Sequence, residues 1–227
     1  MPDVDAFIRE LERELRAKRL SLLDCDFLKA IESRQARRDQ IGKWAKVFYA
    51  ATRHGRLTIG NFYANAPDDP ELRRELAENV YEEETGGISG VGRCHMDVFQ
   101  DLLDAFGITP EMSARLESPA PHQPRATPIA PEDFYVDLSA YGFSVEVPNA
   151  EFCKRVHRAL KENYGFTEKE LLWFSMHASL DAGHGEEFRK HARKVAESPD
   201  GLARLLERTL QLSAAVKQAW DGYGRWH

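Results

Sequence analysis

The spacing of apolar residues is the feature that most limits how this chain can fold. Apolar side chains recur every three or four residues along almost the whole sequence, beginning with Val4, Phe7, Ile8, Leu11 and Leu15. This spacing is typical of amphipathic helices, and the alternation expected of a half-buried strand does not persist in any segment. The sequence therefore predicts an all-α protein.

The predicted helices follow one another closely. The segment that begins "DDPEL" has a strong entry signal, an Asp cap followed by Pro70, and it ends at Gly86 and Gly87. Further helical segments are predicted over 4–15, 25–33, 37–66, 94–106, 131–147, 149–163, 167–195 and 199–221, with a short one from 110. We expect a compact bundle of about seven or more helices, an architecture in which sites are commonly built from side chains on facing helices.

The length, net charge and apolar runs of the chain limit the class of protein to which it can belong. With 227 residues, 42% of them hydrophobic, the chain can bury a core, and we expect a single domain over 1–227. The net charge of −6 comes without a basic block, so nucleic acid is not an expected partner. No apolar run approaches the roughly 20 residues that span a bilayer, and we expect no membrane association and a cytoplasmic protein.

The cysteines and one proline-rich stretch allow two further predictions. Cys25, Cys94 and Cys153 are odd in number and contain no CxxC pair, so we interpret them as reduced thiols. The proline-rich stretch "ESPAPHQPRATPIAP", at 117–131, is predicted to be an ordered surface loop or a lid.

The stretch "SMHASLDAGHGEEF" carries the most chemistry. At about 100° per residue, Asp181 lies about 40° from His177 on a helix, and His184 lies about 20° to the other side. All three side chains therefore share one face. Imidazole nitrogens with a carboxylate suit iron, manganese or zinc, and this arrangement resembles half of a binuclear carboxylate site.

Three other positions could supply the second half. Glu84 continues the row Leu72, Leu76, Val80 and is expected to turn towards the core. His95 opens the next helix on its inward face, where it could return towards Glu84. Glu146 lies in the apolar stretch "GFSVEVP", where burial of an unpaired carboxylate would be costly and a cation would remove that cost.

Each of these residues also has an ordinary structural explanation. A lone histidine on an apolar face is most often a hydrogen-bonded core residue, and Glu146 could pair with an arginine. A run of three glutamates is most often solvated helix surface, which is our interpretation of Glu82. His191, about 10 Å beyond His184 along the helix axis, is expected outside the ligand set. Predicted core residues at helical spacing are Trp44, Phe48, Phe99, Phe143 and Trp173.

At these residues the sequence resembles a known superfamily. The order "ENVYEEETGG", His95, "GFSVEVP", "NYGF" and the final His177, Asp181, His184 motif is similar to the haem-oxygenase-like diiron oxidases and oxygenases. Their fold is shared with haem oxygenase, pyrroloquinoline quinone synthase and the chlamydial protein associating with death domains. The resemblance covers nearly the whole chain and implies a haem-oxygenase-like helical bundle.

The resemblance also implies a ligand set, since three histidines and three carboxylates bind two Fe(II) ions in that superfamily. Carried over to this sequence, the metal ligands and catalytic residues would be Glu84, His95, Glu146, His177, Asp181 and His184. Glu83 is the alternative to Glu84, because the loop to His95 is slightly longer than the form typical of the superfamily. Haem binding is disfavoured, because the proximal histidine of haem oxygenase has no counterpart in the first 53 residues.

The expected activity follows from the same resemblance. It implies a dioxygen-dependent diiron oxidase or oxygenase that acts through a peroxo-diferric intermediate. We expect a small amino-acid-like substrate undergoing desaturation, carbon–carbon cleavage or N-oxygenation in a biosynthetic pathway, together with an electron donor. The resemblance also allows a homodimer.

Three alternatives to this activity differ in their requirements. A medium-chain fatty-acid decarboxylase would need a long apolar channel. A metal-free bundle that binds a small molecule or a protein would need none of the six ligands. The self-sacrificing members consume a tyrosine and need a lysine, where this chain has Phe27 or Leu28 and Val156.

Overall fold

A computed structural model describes residues 3–53, 56–117, 127–180 and 184–223, apart from the side chains at 184, 185 and 223. These residues form helices and connecting turns without a strand, which confirms the predicted all-α bundle. The helices are α1 (Val4–Lys18), α2 (Asp26–Glu32), α3 (Arg38–Thr52), α4 (Arg56–Asn65), α5 (Pro70–Thr85), α6 (His95–Asp104), α7 (Pro110–Ser113), α8 (Phe134–Tyr141), α9 (Val147–Tyr164), α10 (Leu172–Leu180), α11 (His184–Val195) and α12 (Gly201–Tyr223). Most of the predicted lid, and Asp181 with it, lies outside the described residues.

Helix α5 begins and ends at the predicted signals. The Asp69 carboxylate accepts hydrogen bonds from the backbone N–H groups of Glu71 and Leu72, and Pro70 occupies the first turn, where its missing N–H costs nothing. Gly86 ends the helix with φ +60°, the left-handed conformation that favours glycine. These two caps determine where the glutamates at 82–84 fall on the last turn of α5.

The predicted helices 131–147 and 149–163 are joined into one helical run. A π-helical segment, Gly142–Glu146, connects α8 to α9, and the Val147 N–H donates to the carbonyl of Gly142. Pro148 follows at once, and a proline has no N–H and crowds the carbonyl four residues before it. The wider π turn accommodates this proline, so the helix continues where the sequence predicted a break.

Two apolar clusters form the core. The larger cluster contains Trp44, Phe48, Phe99 and Trp173 and is contributed mainly by α2, α3, α6, α9, α10 and α12. The second contains Phe143 and is contributed mainly by α1, α5, α8 and α11. All five aromatic residues predicted to be core are therefore buried.

Helix α6 packs against α3, α5 and α10, and these contacts position the candidate site. No helix of the described chain is long and apolar enough to cross a membrane. All three cysteines are free thiols, as predicted.

Candidate metal centre

Three side chains from three helices meet where α5, α6 and α10 come together. Glu83 lies near the end of α5, His95 is the first residue of α6, and His177 is in α10. Each offers one ligand atom, and these atoms lie within 4.8 Å of one another. The Glu83 Oε1 atom lies 3.0 Å from His95 Nδ1 and 3.9 Å from His177 Nε2. In the part of the chain that the structure describes, no other group of three such side chains could hold a metal ion.

His177 presents one nitrogen to this group. Its Nδ1 lies 2.8 Å from the carbonyl oxygen of Trp173, so Nδ1 carries the proton and donates it. Burial lowers the pKa of His177, and the nearby charge of Glu83 only partly offsets this effect. The imidazole is therefore neutral, with the Nε2 lone pair directed towards Glu83, which is the usual state of a histidine ligand.

His95 lies between two carboxylates. Its Nδ1 faces Glu83 and its Nε2 faces Glu82 Oε1, each at 3.0 Å. Burial opposes protonation, but the hydrogen bonds with Glu83 and Glu82 raise the pKa of His95 above its ordinary value. If a metal bound at Nδ1, the Nε2–H group of His95 would donate to Glu82. Such a carboxylate–histidine–metal arrangement fixes the orientation of the imidazole ring that binds the metal.

Glu82 is buried, so its interpretation as solvated surface is wrong. Its side chain is only 7% exposed, and its Oε2 atom accepts hydrogen bonds from the backbone N–H groups of Ile88 and Ser89 at 2.6 and 3.1 Å. Burial raises the pKa of Glu82, but these bonds and that with His95 outweigh burial and lower it to about 2. The loop after Gly86 folds back over the helix end, and the glycine-rich "GGISG" is the signal that could have indicated this return.

Glu84 lies apart from the group. Its carboxylate is 47% exposed and accepts a hydrogen bond from Arg56 Nη1 at 3.0 Å. Along an α-helix, each step of four residues rotates the side chain by about 40° beyond a full turn. After the three steps from Leu72 to Glu84, Glu84 therefore points about 120° away from the direction of Leu72. Glu83, eleven residues after Leu72, returns to within about 20° of it. The structure therefore brings Glu83, the alternative ligand, to the two histidines.

The other predicted ligands are placed less completely. Glu146, in the π segment, is close enough to His177 for its charge to raise the pKa of that histidine slightly against the dominant effect of burial. Asp181 and the side chain of His184 lie outside the described residues. His191, expected outside the ligand set, pairs with Glu75 through Nε2 at 2.8 Å.

The donor set of this group fits iron. One carboxylate oxygen and two imidazole nitrogens form the combination typical of non-haem Fe(II) sites that react with dioxygen. Burial alone would raise the pKa of Glu83, but its hydrogen bond with His95 and the charges of both histidines lower it. Glu83 therefore offers an ionised ligand.

Comparison with known proteins agrees with this geometry. The sequence pattern of a family described as iron-containing redox enzymes matches residues 43–216, which include Glu83, His95 and His177. The chain belongs to this family. It is also similar to a 4-aminobenzoate synthase of Chlamydia pneumoniae, with 22% identity over 204 residues that cover 87% of each chain.

Membership of the iron-containing redox enzymes confirms the resemblance on which the sequence interpretation depended, together with the haem-oxygenase-like helical fold. The matched segment begins within α3 and ends within α12, so it excludes α1 and α2. All members of the candidate metal centre lie within it.

Proposed function

We propose that the protein is a non-haem diiron enzyme that uses dioxygen to oxidise a small amino-acid-like substrate in biosynthesis. The observation that carries this proposal is the convergence of Glu83, His95 and His177 in a chain of the iron-containing redox enzyme family. Iron bound there would supply the redox chemistry that activates dioxygen. The chain's own residues hold that iron, exclude water from it and bind the substrate beside it.

A second iron would need further ligands. Besides Glu83, Glu146 is a carboxylate whose charge acts on His177, and Asp181 and His184 follow His177 on the predicted helical stripe. We propose that these residues hold the second iron with Glu83 as the shared carboxylate. Because they come from separate elements, we expect the second iron to bind less tightly than the first until substrate is present.

Arg56 supports a substrate that carries a carboxylate. Its Nη1 donates to Glu84 Oε2 at 3.0 Å and to Cys94 Sγ at 3.2 Å, next in sequence to Glu83 and His95. Its Nε is buried without an acceptor among the described residues. A guanidinium binds a carboxylate through two parallel N–H groups, and a buried N–H left unpaired is costly. We propose that Arg56 receives the substrate carboxylate, a group present in the 4-aminobenzoate that names the chlamydial relative.

A fatty-acid substrate is the second candidate, and a specific cavity favours it. An apolar cavity of about 310 Å³ lies between α1 and α9, with Leu11, Leu15 and Phe143 in its wall. Phe143 and Val147, which also lines it, flank Glu146 in sequence. Oxidation of decanoate, with no reaction of amino acids, would favour this candidate over the first.

Anaerobic titration of the apoprotein with Fe(II) tests the proposed function. We expect two irons per chain, and on mixing with oxygenated buffer a transient visible absorbance that a carboxylate-bearing substrate accelerates or quenches. Absence of iron binding would instead assign the chain to a metal-free small-molecule or protein-binding role. One tightly bound iron without reaction towards dioxygen would exclude the diiron mechanism.

A further inference from the structure

Aromatic rings lead from the candidate metal centre into the core. Trp173 lies one turn before His177 in α10, and the two ring centroids are 3.9 Å apart with an interplanar angle of 31°. Since His177 Nδ1 also donates to the Trp173 carbonyl, this tryptophan touches the candidate ligand through both its ring and its backbone.

Further aromatic rings in contact with one another extend from Trp173 through the larger core cluster. Phe48 of α3 packs edge-on against Trp173, with centroids 5.4 Å apart, and its ring lies 4.9 Å from that of Trp220 in α12. Trp44 packs beside both, 5.0 Å from Phe48 and 5.9 Å from Trp220. Trp220 is 9% exposed, and the next residue in α12, Asp221, reaches solvent. Trp173 and Trp220 therefore both pack against the ring of Phe48, the first beside the candidate metal centre and the second next to a residue that reaches solvent.

Packing alone does not explain why indole rings occupy these positions. The Nε1 atoms of Trp173 and Trp44 are buried, and within the described chain neither has a hydrogen-bond acceptor. A buried donor without a partner costs about 1–3 kcal/mol, and a phenylalanine would fill much of the same space without that cost. Indole differs from benzene in a second property, because it is far more easily oxidised by one electron.

We propose that Trp173 and Trp220 form an electron relay between the iron centre and the protein surface. The inference rests on the proposed function, because a redox-active metal must supply the oxidant. One electron passes from the Trp173 ring to the oxidised centre, and the Trp173 cation radical then takes an electron from Trp220. A one-electron reductant in solution, a thiol or ascorbate, restores Trp220. No bond forms or breaks in either ring.

The buried environment suits such a relay. An indole cation radical is acidic at Nε1, and a nearby acceptor would take its proton and trap the ring as a neutral radical. Trp173 Nε1 has no such acceptor among the described residues, so its proton stays in place and an electron alone restores the ring. Tunnelling rates fall exponentially with distance, and the ring of Phe48, with its centroid 5.4 Å from that of Trp173 and 4.9 Å from that of Trp220, connects the two indoles.

Oxidation of specific tryptophans provides the test. The iron-loaded protein is exposed to dioxygen without substrate, and oxidised residues are mapped by peptide mass spectrometry with and without ascorbate. In the natural sequence we expect oxidation to accumulate at Trp220 and ascorbate to suppress it. In Trp173→Phe we expect oxidation of Trp220 to fall severalfold and oxidation of His177 and its neighbours to rise. Trp173→Tyr retains an oxidisable ring and should partly restore oxidation of Trp220.

Phe134→Leu provides the packing control, since it trims a fully buried ring in the second core cluster and should leave the oxidation pattern unchanged. Circular dichroism, iron content and oxygen consumption are measured on the same samples. If the folded Trp173→Phe protein binds iron, consumes oxygen and oxidises Trp220 as before, the relay is excluded and the proposed function stands. If the natural sequence neither binds iron nor consumes oxygen, both proposals fail.

Discussion

Glu83 Oε1 and His95 Nδ1 lie 3.0 Å apart, although the two residues are twelve positions apart in sequence and belong to different helices. The left-handed Gly86 ends α5 two residues after Glu84, and the loop returns so that α6 begins at His95 itself. His177 then approaches the same Glu83 oxygen from α10.

Glu83 and Glu84 form a matched pair for assigning the first ligand. Glu83→Gln removes the negative charge from the group formed with His95 and His177, and we expect the affinity for Fe(II) to fall about 10- to 100-fold. Glu84→Gln removes an exposed carboxylate that pairs with Arg56, and it should leave affinity for Fe(II) unchanged. Anaerobic competition with a chelator measures both. Greater loss in Glu84→Gln would return the ligand assignment to Glu84.

Glu82 is expected to act as a positioning residue for His95. Glu82→Ala leaves the backbone N–H groups of Ile88 and Ser89 without their acceptor, and we expect a loss of about 1–3 kcal/mol in unfolding free energy. Iron affinity should fall about 10- to 100-fold, because the ring of His95 is no longer held at Nε2. Urea denaturation and iron titration provide the two measurements. A destabilised variant with unchanged iron affinity would restrict Glu82 to a structural role.

Arg56→Gln tests recognition of the substrate carboxylate. A charge-assisted hydrogen-bonded pair contributes about 1.5–3 kcal/mol, so we propose that 4-aminobenzoate, used as a carboxylate-bearing probe, binds roughly 10- to 100-fold more weakly to the variant. The neutral 4-aminobenzamide should bind both proteins equally. Arg53→Gln is the control, since Arg53 donates to the backbone carbonyl of Ala114. Calorimetric titration would contradict the assignment if acid and amide weakened together in Arg56→Gln.

Gly142 is expected to be intolerant of any side chain. An alanine Cβ there would clash with the ring of Phe188 in α11, and we expect a cost of about 1–3 kcal/mol in unfolding free energy. Gly60→Ala is the control, because nothing lies within 4 Å of its added Cβ and α4 should gain up to about 1 kcal/mol. Urea denaturation of both variants measures these changes. Equal stability of the two variants would contradict the close packing of the π segment on α11.

The Glu32–Arg155 pair predicts a specific pH dependence of stability. Arg155 Nε and Nη2 donate to the two Glu32 oxygens at 2.8 and 2.6 Å, and this contact lowers the pKa of Glu32 in the folded state. Its contribution is therefore complete above the unfolded value of about 4.5 and is lost as pH falls through the lower folded value. Glu32→Gln should cost about 1–2 kcal/mol at pH 7 and progressively less in acid. A difference between the two proteins that stayed constant down to pH 2 would contradict this linkage.

Local signals predicted the helices well because helix formation depends on residues that are close in sequence. The Asp69 cap, Pro70 and Gly86 delimit α5 as expected, and His95 begins α6 close to the predicted position. All five aromatic residues that the apolar periodicity predicted to be in the core are buried in the structure. The π turn at Gly142–Glu146 was not foreseen, since Pro148 usually indicates that a new helix begins.

The sequence by itself determined that the chain is helical and that His95, His177 and His184 are the histidines to examine, because periodicity and caps act within a few turns. Only the tertiary structure decided which glutamate joins them. A helical row drifts by about 40° at every fourth residue, so the sequence pattern alone did not separate Glu83 from Glu84 at the end of α5. The burial of Glu82 likewise depends on the loop that folds back over the end of its own helix, and helical periodicity does not describe the path of a loop.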